Sequence, residues 1–248
     1  MIKKIIRHLK AKTLVKALKR KLQGLVALGT PPIGDEYYGD VANNYLDHRD
    51  HENFWDKEHL VLEDAIKGII ITSNTKRILD VPFGTGRFAN LYLDNKFQIY
   101  GLDSSKDMIN VAKERLDKKF KQCKVSIGFS TNMPYKKKYF DLLICYRFLP
   151  WVISYKDVAI TLDEFNRVLK VNGYALLEFS VNRSDSIYNS ADNLNKNSIM
   201  WDKLTSDQIN QLLNEHGFKV EREIFIFNNI ENPNVTLFVC KKTSTLSI

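Results

Sequence analysis

Residues 77–103, RILDVPFGTGRFANLYLDNKFQIYGLD, run an apolar stretch of strand length into a turn with two glycines, then a short helical pattern, then a second apolar stretch. A buried strand, a tight turn and a helix leading to another buried strand leave few folds open. Parallel strands need such crossovers, and the crossover helices cover the faces of the sheet. The alternation continues downstream. SKDMINVAKERLDKKF reads as a helix with an apolar face, KVSIGF and YFDLLICYRF as strands, SYKDVAITLDEFNRVLKVNG as a helix stopped at Gly173, and YALLEFS as a strand. The chain then ends differently. TSDQINQLLNEHGF is a helix with Thr205 or Ser206 as its cap, and KVEREIFIFNN and NVTLFVCKK are strands joined by the turn-forming NNIENPN. Continuous apolar runs predict an α/β fold: a mostly parallel seven-stranded sheet with an antiparallel C-terminal strand and helices on both faces.

Charge divides the chain unevenly. Residues 1–34 hold nine Lys/Arg and no Asp/Glu, and the remaining 28 basic residues nearly balance 29 acidic ones. The net charge of +8 is therefore a property of one end and implies a local electrostatic contact. In that end Ile2, Ile5, Ile6 and Leu9 form one apolar stripe and Leu14, Leu18, Leu22 and Leu25 another, rotated by roughly half a turn at about 100° per residue. A kinked helix or two short helices is expected. Lysines every few residues exclude a spanning segment or a secretory signal. An anionic membrane surface met by residues 1–28, a partner helix and a nucleic-acid arm all remain open.

GTPPIGDEYYGD, residues 29–40, reads as a linker. Three parts follow: a basic amphipathic extension over 1–30, a linker with covering helices over 31–75, and a core over 76–248. The core carries a polar insertion at 181–203. Cys123, Cys145 and Cys240 are odd in number and lie mostly in apolar runs, as reduced core residues of a cytosolic protein do. No CxxC spacing suggests a metal site.

Gly84-x-Gly86 between a strand and a helix brings backbone N–H groups and a positive helix end toward a ligand. With Ala89, and with Asp103 seventeen residues beyond Gly86, it also satisfies a dinucleotide pattern. Asp80, closing the first strand, favours a cationic amino group over a pyrophosphate. Taken with GLDSSKDMINVAKERL and STNMPYKKKYFDLLIC, the pattern resembles the class I S-adenosylmethionine-dependent methyltransferases, from about residue 42 to the C-terminal strand pair.

That resemblance implies a Rossmann-like fold with S-adenosylmethionine as cofactor. Asp80 and the backbone around Pro82, Phe83, Gly84 and Gly86 would surround the methionine moiety. Asp103 would accept hydrogen bonds from the ribose hydroxyls, and Ser104 and Met108 would lie beside the adenine. Pro82 replaces the first glycine of the usual loop, so that position supplies no N–H. Phe129 replaces the family's third acidic residue. Ser130, Thr131 or their backbone would then meet the adenine amino group, or Phe129 is simply core.

For the acceptor, Tyr45, His48 and Arg49 stand in the segment that covers the cofactor in resembling enzymes, with His48 a candidate base. Tyr146 is a second catalytic candidate; Arg147, Trp151 and Trp201 are candidates to line the acceptor pocket. CYRFLPWV lacks the acidic or Asn residue before Pro-Pro-aromatic that base-nitrogen methylation uses. The expectation is a cytoplasmic methyltransferase, peripheral on the inner membrane face. It would act on a small-molecule, glycan or lipid-linked acceptor, most plausibly at oxygen. An RNA methyltransferase, a non-catalytic member of the fold and an NAD-dependent oxidoreductase are the alternatives.

Overall fold

The structure, a computed structural model, describes residues 37–45, 54–149, 155–181, 204–229 and 232–243. The basic extension, His48, Arg49, Trp151, Trp201 and nearly all of the 181–203 insertion lie outside the described residues.

Seven strands form one sheet: β1 Arg77–Asp80, β2 Gln98–Asp103, β3 Cys123–Ile127, β4 Phe140–Cys145, β5 Leu169–Val181, β6 Phe218–Asn229 and β7 Asn232–Lys242. Their order is β3-β2-β1-β4-β5-β7-β6. β7 runs antiparallel to β5 and β6, and the other four pairs are parallel. The helices are α1 Asp40–Asn43, α2 Phe54–Thr72, α3 Ala89–Asp94, α4 Lys106–Leu116, α5 Tyr155–Val168 and α6 Ser206–Glu215.

The period of two along each strand builds two cores. Leu79, Leu143, Cys145, Leu177 and Phe179 face one side, with Val158, Leu162 and Phe165 of α5 and Ile209 and Leu213 of α6. Ile78, Ile99, Leu142, Ile144 and Leu176 face the other, with Leu62, Ala65, Ile66 and Ile69 of α2. Those α2 positions follow the spacing of a helix burying one stripe. All three cysteines are buried and free.

The chain builds outward from β1 through β2 to β3, then returns to β4 on the other side of β1. At such a reversal the two connections leave in opposite directions and open a crevice at the C-terminal strand ends.

One boundary differs from the expectation. The helix does not run to Gly173; α5 ends at Val168 and β5 begins at Leu169. The α5 terminus is closed by backbone bonds instead, Lys138 N–H to Arg167 O (2.8 Å) and Tyr139 N–H to Val168 O (2.7 Å). The register then jumps from Phe140–Leu169 to Leu142–Tyr174. A bulge over 170–173 results, with Asn172 at φ 64°. Gly173 is needed for closeness, since a Cβ there would stand 2.9 Å from Lys170 O and 3.0 Å from Asp141 O. At α6, Thr205 is the cap, and it forms a reciprocal box with Gln208.

Candidate active site

The β1–α3 turn is threaded between two strands. Val81 N–H donates to Ile144 O of β4 at 3.0 Å, and Phe83 N–H donates to Leu102 O of β2 at 2.9 Å. Pro82, joined to Val81 by a cis peptide bond, stands between these donors, where a missing N–H leaves no strand carbonyl without its partner. The Phe83 ring is buried and turns toward β2. It fills the space above Gly101, where a Cβ would lie 2.5 Å from Phe83 Cδ2. Gly86, at φ 66°, backs onto the same ring and onto Leu116, 2.7 Å from where its Cβ would be. Phe83 is thus accommodated by two glycines and leaves the face of the turn to its backbone.

Asp103, at the end of β2, fastens this turn. Its Oδ2 accepts from Gly84 N–H at 2.7 Å and its Oδ1 from Ser105 N–H at 2.8 Å. Burial pushes its carboxyl up to about 6, against the pull of the Ser105, Gly84 and Ser104 backbone donors. Ser105 Oγ caps α4 by accepting from Met108 N–H and itself donates to Tyr37 O. Tyr38 and Gly39 also bind this corner, at Ser104 O and Asp107 Oδ2. The segment before α1 is thereby tied over the β2–α4 turn.

Asp80 is buried at the end of β1. Burial holds its carboxyl well above the usual range; a hydrogen bond from Tyr92 Oη (3.1 Å) opposes this, and the nearby Asp103 charge adds to it.

A second charged group closes the other end. Glu58 of α2 is fully buried and accepts from Arg87 and from Arg147, whose Nε and Nη2 each lie at 2.8 Å. Arg87 also donates to Trp55 O and stacks 4.5 Å from the Trp55 ring. Beside them Glu178 of β5 is buried. Desolvation and the Glu58 charge raise its carboxyl to about 8, while Arg147, through its guanidinium and a backbone hydrogen bond, and Arg87 pull it down.

Of these groups Asp80, Asp103, Arg87 and Arg147 border a cleft with about 890 Å³ of unoccupied space, part of it continuous with solvent. Of the residues singled out in the sequence, Asp80, Pro82, Phe83, Gly84, Asp103, Ser104, Met108, Tyr45, Tyr146 and Arg147 line it, with Tyr45 edge to face on Tyr37 beside the β2–α4 corner, 5.6 Å between centroids. Gly86 packs behind the turn. Ser130 and Thr131 stand elsewhere: Ser130 Oγ pairs with Thr161 Oγ1 of α5 at 2.9 Å, and neither residue borders the cleft. Phe129, bridged to Asn132, is also away from it. His48, Arg49, Trp151 and Trp201 fall outside the described residues. Tyr37, Arg87, Phe88 and Phe148 line the cleft unforeseen; Glu58 and Glu178, also unforeseen, do not line it and lie buried against Arg87, Arg147 and Tyr146. Glu178 left a signal, being the lone charge in YALLEFS. Among the described residues no group of His, Cys, Asp and Glu is placed to hold a metal ion, and no helix is long and apolar enough to cross a membrane.

Residues 79–177 match the methyltransferase-domain family model, from the end of β1 through β5. That stretch is a methyltransferase domain. A demethylmenaquinone methyltransferase of Thermotoga maritima is 33% identical over 109 residues, 42% of this chain and 44% of that relative, so the match spans less than half of its length. The Burkholderia thailandensis 1,6-didemethyltoxoflavin-N1-methyltransferase, solved with 1,6-didemethyltoxoflavin and S-adenosylhomocysteine, is 14% identical, with a TM-score of 0.60 over 83% of this chain and 86% of its own. The [4+2]-cyclase SpnF is 17% identical, with a TM-score of 0.59 over 74% and 81% of the two chains. Structural likeness at these identities establishes the fold of the methyltransferase domain alone.

Proposed function

We propose that the protein transfers a methyl group from S-adenosylmethionine to oxygen of a small-molecule or lipid-linked acceptor that enters the cleft from the side of Phe148. The observation that carries this reading is the Asp103 carboxylate. It borders the cleft and holds Gly84 and Ser105 by one bond to each oxygen, which leaves acceptor capacity on both oxygens for a pair of hydroxyls. The residues suit the cofactor. Asp80, deprived of solvent and with the Arg87 charge the smallest influence on it, favours a bound cation such as an ammonium group, and Met108 offers a soft apolar surface. When bound, the cofactor supplies an electrophilic methyl on a sulfonium. The protein's part is to align the acceptor and, for a hydroxyl, to remove its proton.

Aromatic side chains beside Tyr146 and Arg147, namely Phe88 and Phe148, support an acceptor with an apolar body. The names of the demethylmenaquinone and didemethyltoxoflavin methyltransferases support a small molecule over a polymer. The basic, apolar-striped extension supports action at an anionic membrane surface. Calorimetry with S-adenosylmethionine is the first test; absence of binding by the folded protein would end the enzyme reading. Labelled methyl transfer into cell extract is the second. Label in the organic-soluble fraction is expected. Label in RNA, with steeply salt-dependent RNA binding lost on removing residues 1–30, would replace this reading by a nucleic-acid one.

A further inference from the structure

Among the described residues, two buried polar atoms beside the cleft, Tyr146 Oη and Glu178 Oε2, have no hydrogen-bond partner. They belong together by register. β4 and β5 pair Ile144 with Leu176 and Cys145 with Leu177, so Tyr146 and Glu178 occupy the next position on the two strands, beyond Ile144 and Leu176 on the α2 face. Tyr146 is 5% exposed and Glu178 3%, so neither is a solvated surface group. Tyr146 lines the cleft. Leaving a buried polar atom unpaired costs about 1–3 kcal/mol, and two side by side need a common explanation.

We propose that Tyr146 and Glu178 form a seat for one hydroxyl of the acceptor, carried on an aromatic ring, with Glu178 receiving its proton. A hydroxyl donates once and accepts, which is what one phenolic O–H donor beside one carboxylate oxygen lacks. An ether accepts only, and a ring without a substituent does neither. Phe88 packs against Tyr146 edge to face at 5.3 Å between centroids and itself lines the cleft, as a ring-bearing ligand requires. In the proton step the acceptor O–H bond breaks, a bond from that hydrogen to Glu178 Oε2 forms, and the acceptor oxygen keeps the electron pair. Glu178 faces Glu58 of α2, Arg87 from the turn before α3, and Tyr146 and Arg147 at the end of β4, with Cys145 on the opposite face of that strand. With its carboxyl raised to about 8, it becomes a competent base as pH rises through that value.

The direction of the transfer rests on the methyltransferase reading; the seat itself does not. The test uses 2-naphthol and 2-methoxynaphthalene as probes, with the full chain and S-adenosylhomocysteine, by calorimetry or ligand-observed NMR. At about pH 8.5, where Glu178 is largely ionised, the wild type should prefer the naphthol about tenfold or more. Glu178→Gln and Tyr146→Phe should each erase most of that preference without lowering the melting temperature or the S-adenosylhomocysteine affinity. Equal affinity for the two probes, failure of both to bind, or a preference that survives both substitutions would overturn the seat. Loss of S-adenosylhomocysteine binding in the wild type would strike the cofactor reading and leave the probe comparison standing.

Discussion

The two ends of the cleft are held by different physics. At the cofactor end the key residues fall between Asp80 and Met108, and the contacts that fix them are carboxylate to backbone: Asp103 to Gly84 and Ser105, with Ser105 capping α4. At the acceptor end the key residues are Glu58, Arg87, Arg147 and Glu178, drawn from α2, the turn before α3 and the ends of β4 and β5. Their contacts are mostly charge to charge. The first arrangement follows from the path of a strand–turn–helix and needs only the right residue at each corner. The second exists only when distant elements have packed, and its members are buried at a cost that their mutual attraction must offset. Damage should therefore appear as lost ligand affinity at one end and as lost folding stability at the other.

The largest effect should come from Glu58→Ala, which leaves two guanidiniums against a buried surface with no carboxylate between them. Removing one partner of a buried pair typically costs about 3–5 kcal/mol. Arg87 and Arg147 side chains keep 14% and 23% exposure, so the lower part of that range is expected in chemical denaturation. A loss below about 1 kcal/mol would mean that the cluster behaves as a solvated pair, and the contrast between the two ends would fail. Asp103→Asn should do the reverse. Its amide nitrogen would face an N–H donor of Gly84 or Ser105, and bonds to a charged acceptor are worth about 1.5–3 kcal/mol each. S-Adenosylmethionine affinity should fall about 100-fold, with a smaller stability change than in Glu58→Ala.

The same contrast explains what could be read from the sequence. The sheet, its parallel centre and its antiparallel C-terminal pair were legible because each strand is a continuous apolar run and each crossover helix has one apolar stripe. The corner where Asp80, Gly84 and Asp103 meet the cleft was legible because they occupy a short stretch in which spacing is geometry. Phe83 was not, since its fit depends on the absence of a side chain at Gly101, on another strand. Gly173 was misread as a helix stop because a glycine needed for close backbone approach looks the same in sequence as one needed for a left-handed turn. Ser130 and Thr131 followed the chain into the right loop, but Ser130 turned to Thr161 on α5. Glu58 and Arg87 are ordinary residues of a charged helix and a turn until Arg147, 89 positions from Glu58, meets that carboxylate.

Acid separates the two ends further. Asp103 titrates near 6 in the folded protein, above the value of about 3.9 for a free aspartate. The folded state therefore binds the extra proton between those values, and Asp103 makes folding less favourable as pH rises from about 4 to 6. On the proposed reading, in which Asp103 meets the ribose hydroxyls in its ionised form, cofactor binding runs the other way. From pH 7 to pH 5 the ionised fraction falls about tenfold, and the dissociation constant for S-adenosylmethionine should rise by that factor. An affinity flat across this window would mean that Asp103 is protonated in the complex or does not meet the cofactor. Naphthol binding, governed by Glu178 near 8, should barely move between pH 5 and pH 7.

The smallest effect tests how much one neutral hydroxyl contributes within a cofactor end otherwise built on backbone donors. Tyr92 Oη is the side-chain donor to Asp80, and both groups are buried. Tyr92→Phe removes that donor with little change of shape, so packing against Phe88 should persist. Asp80 would then hold its proton more tightly, since burial and the Asp103 charge both raise its carboxyl and the opposing hydrogen bond is gone. A bound cation needs the ionised form, so cofactor affinity should drop by about 1 kcal/mol, roughly fivefold. The drop should shrink as pH rises and Asp80 ionises without help. A pH-independent loss would point to displaced packing instead of proton affinity, and an unchanged affinity would remove Asp80 from the proposed cation site.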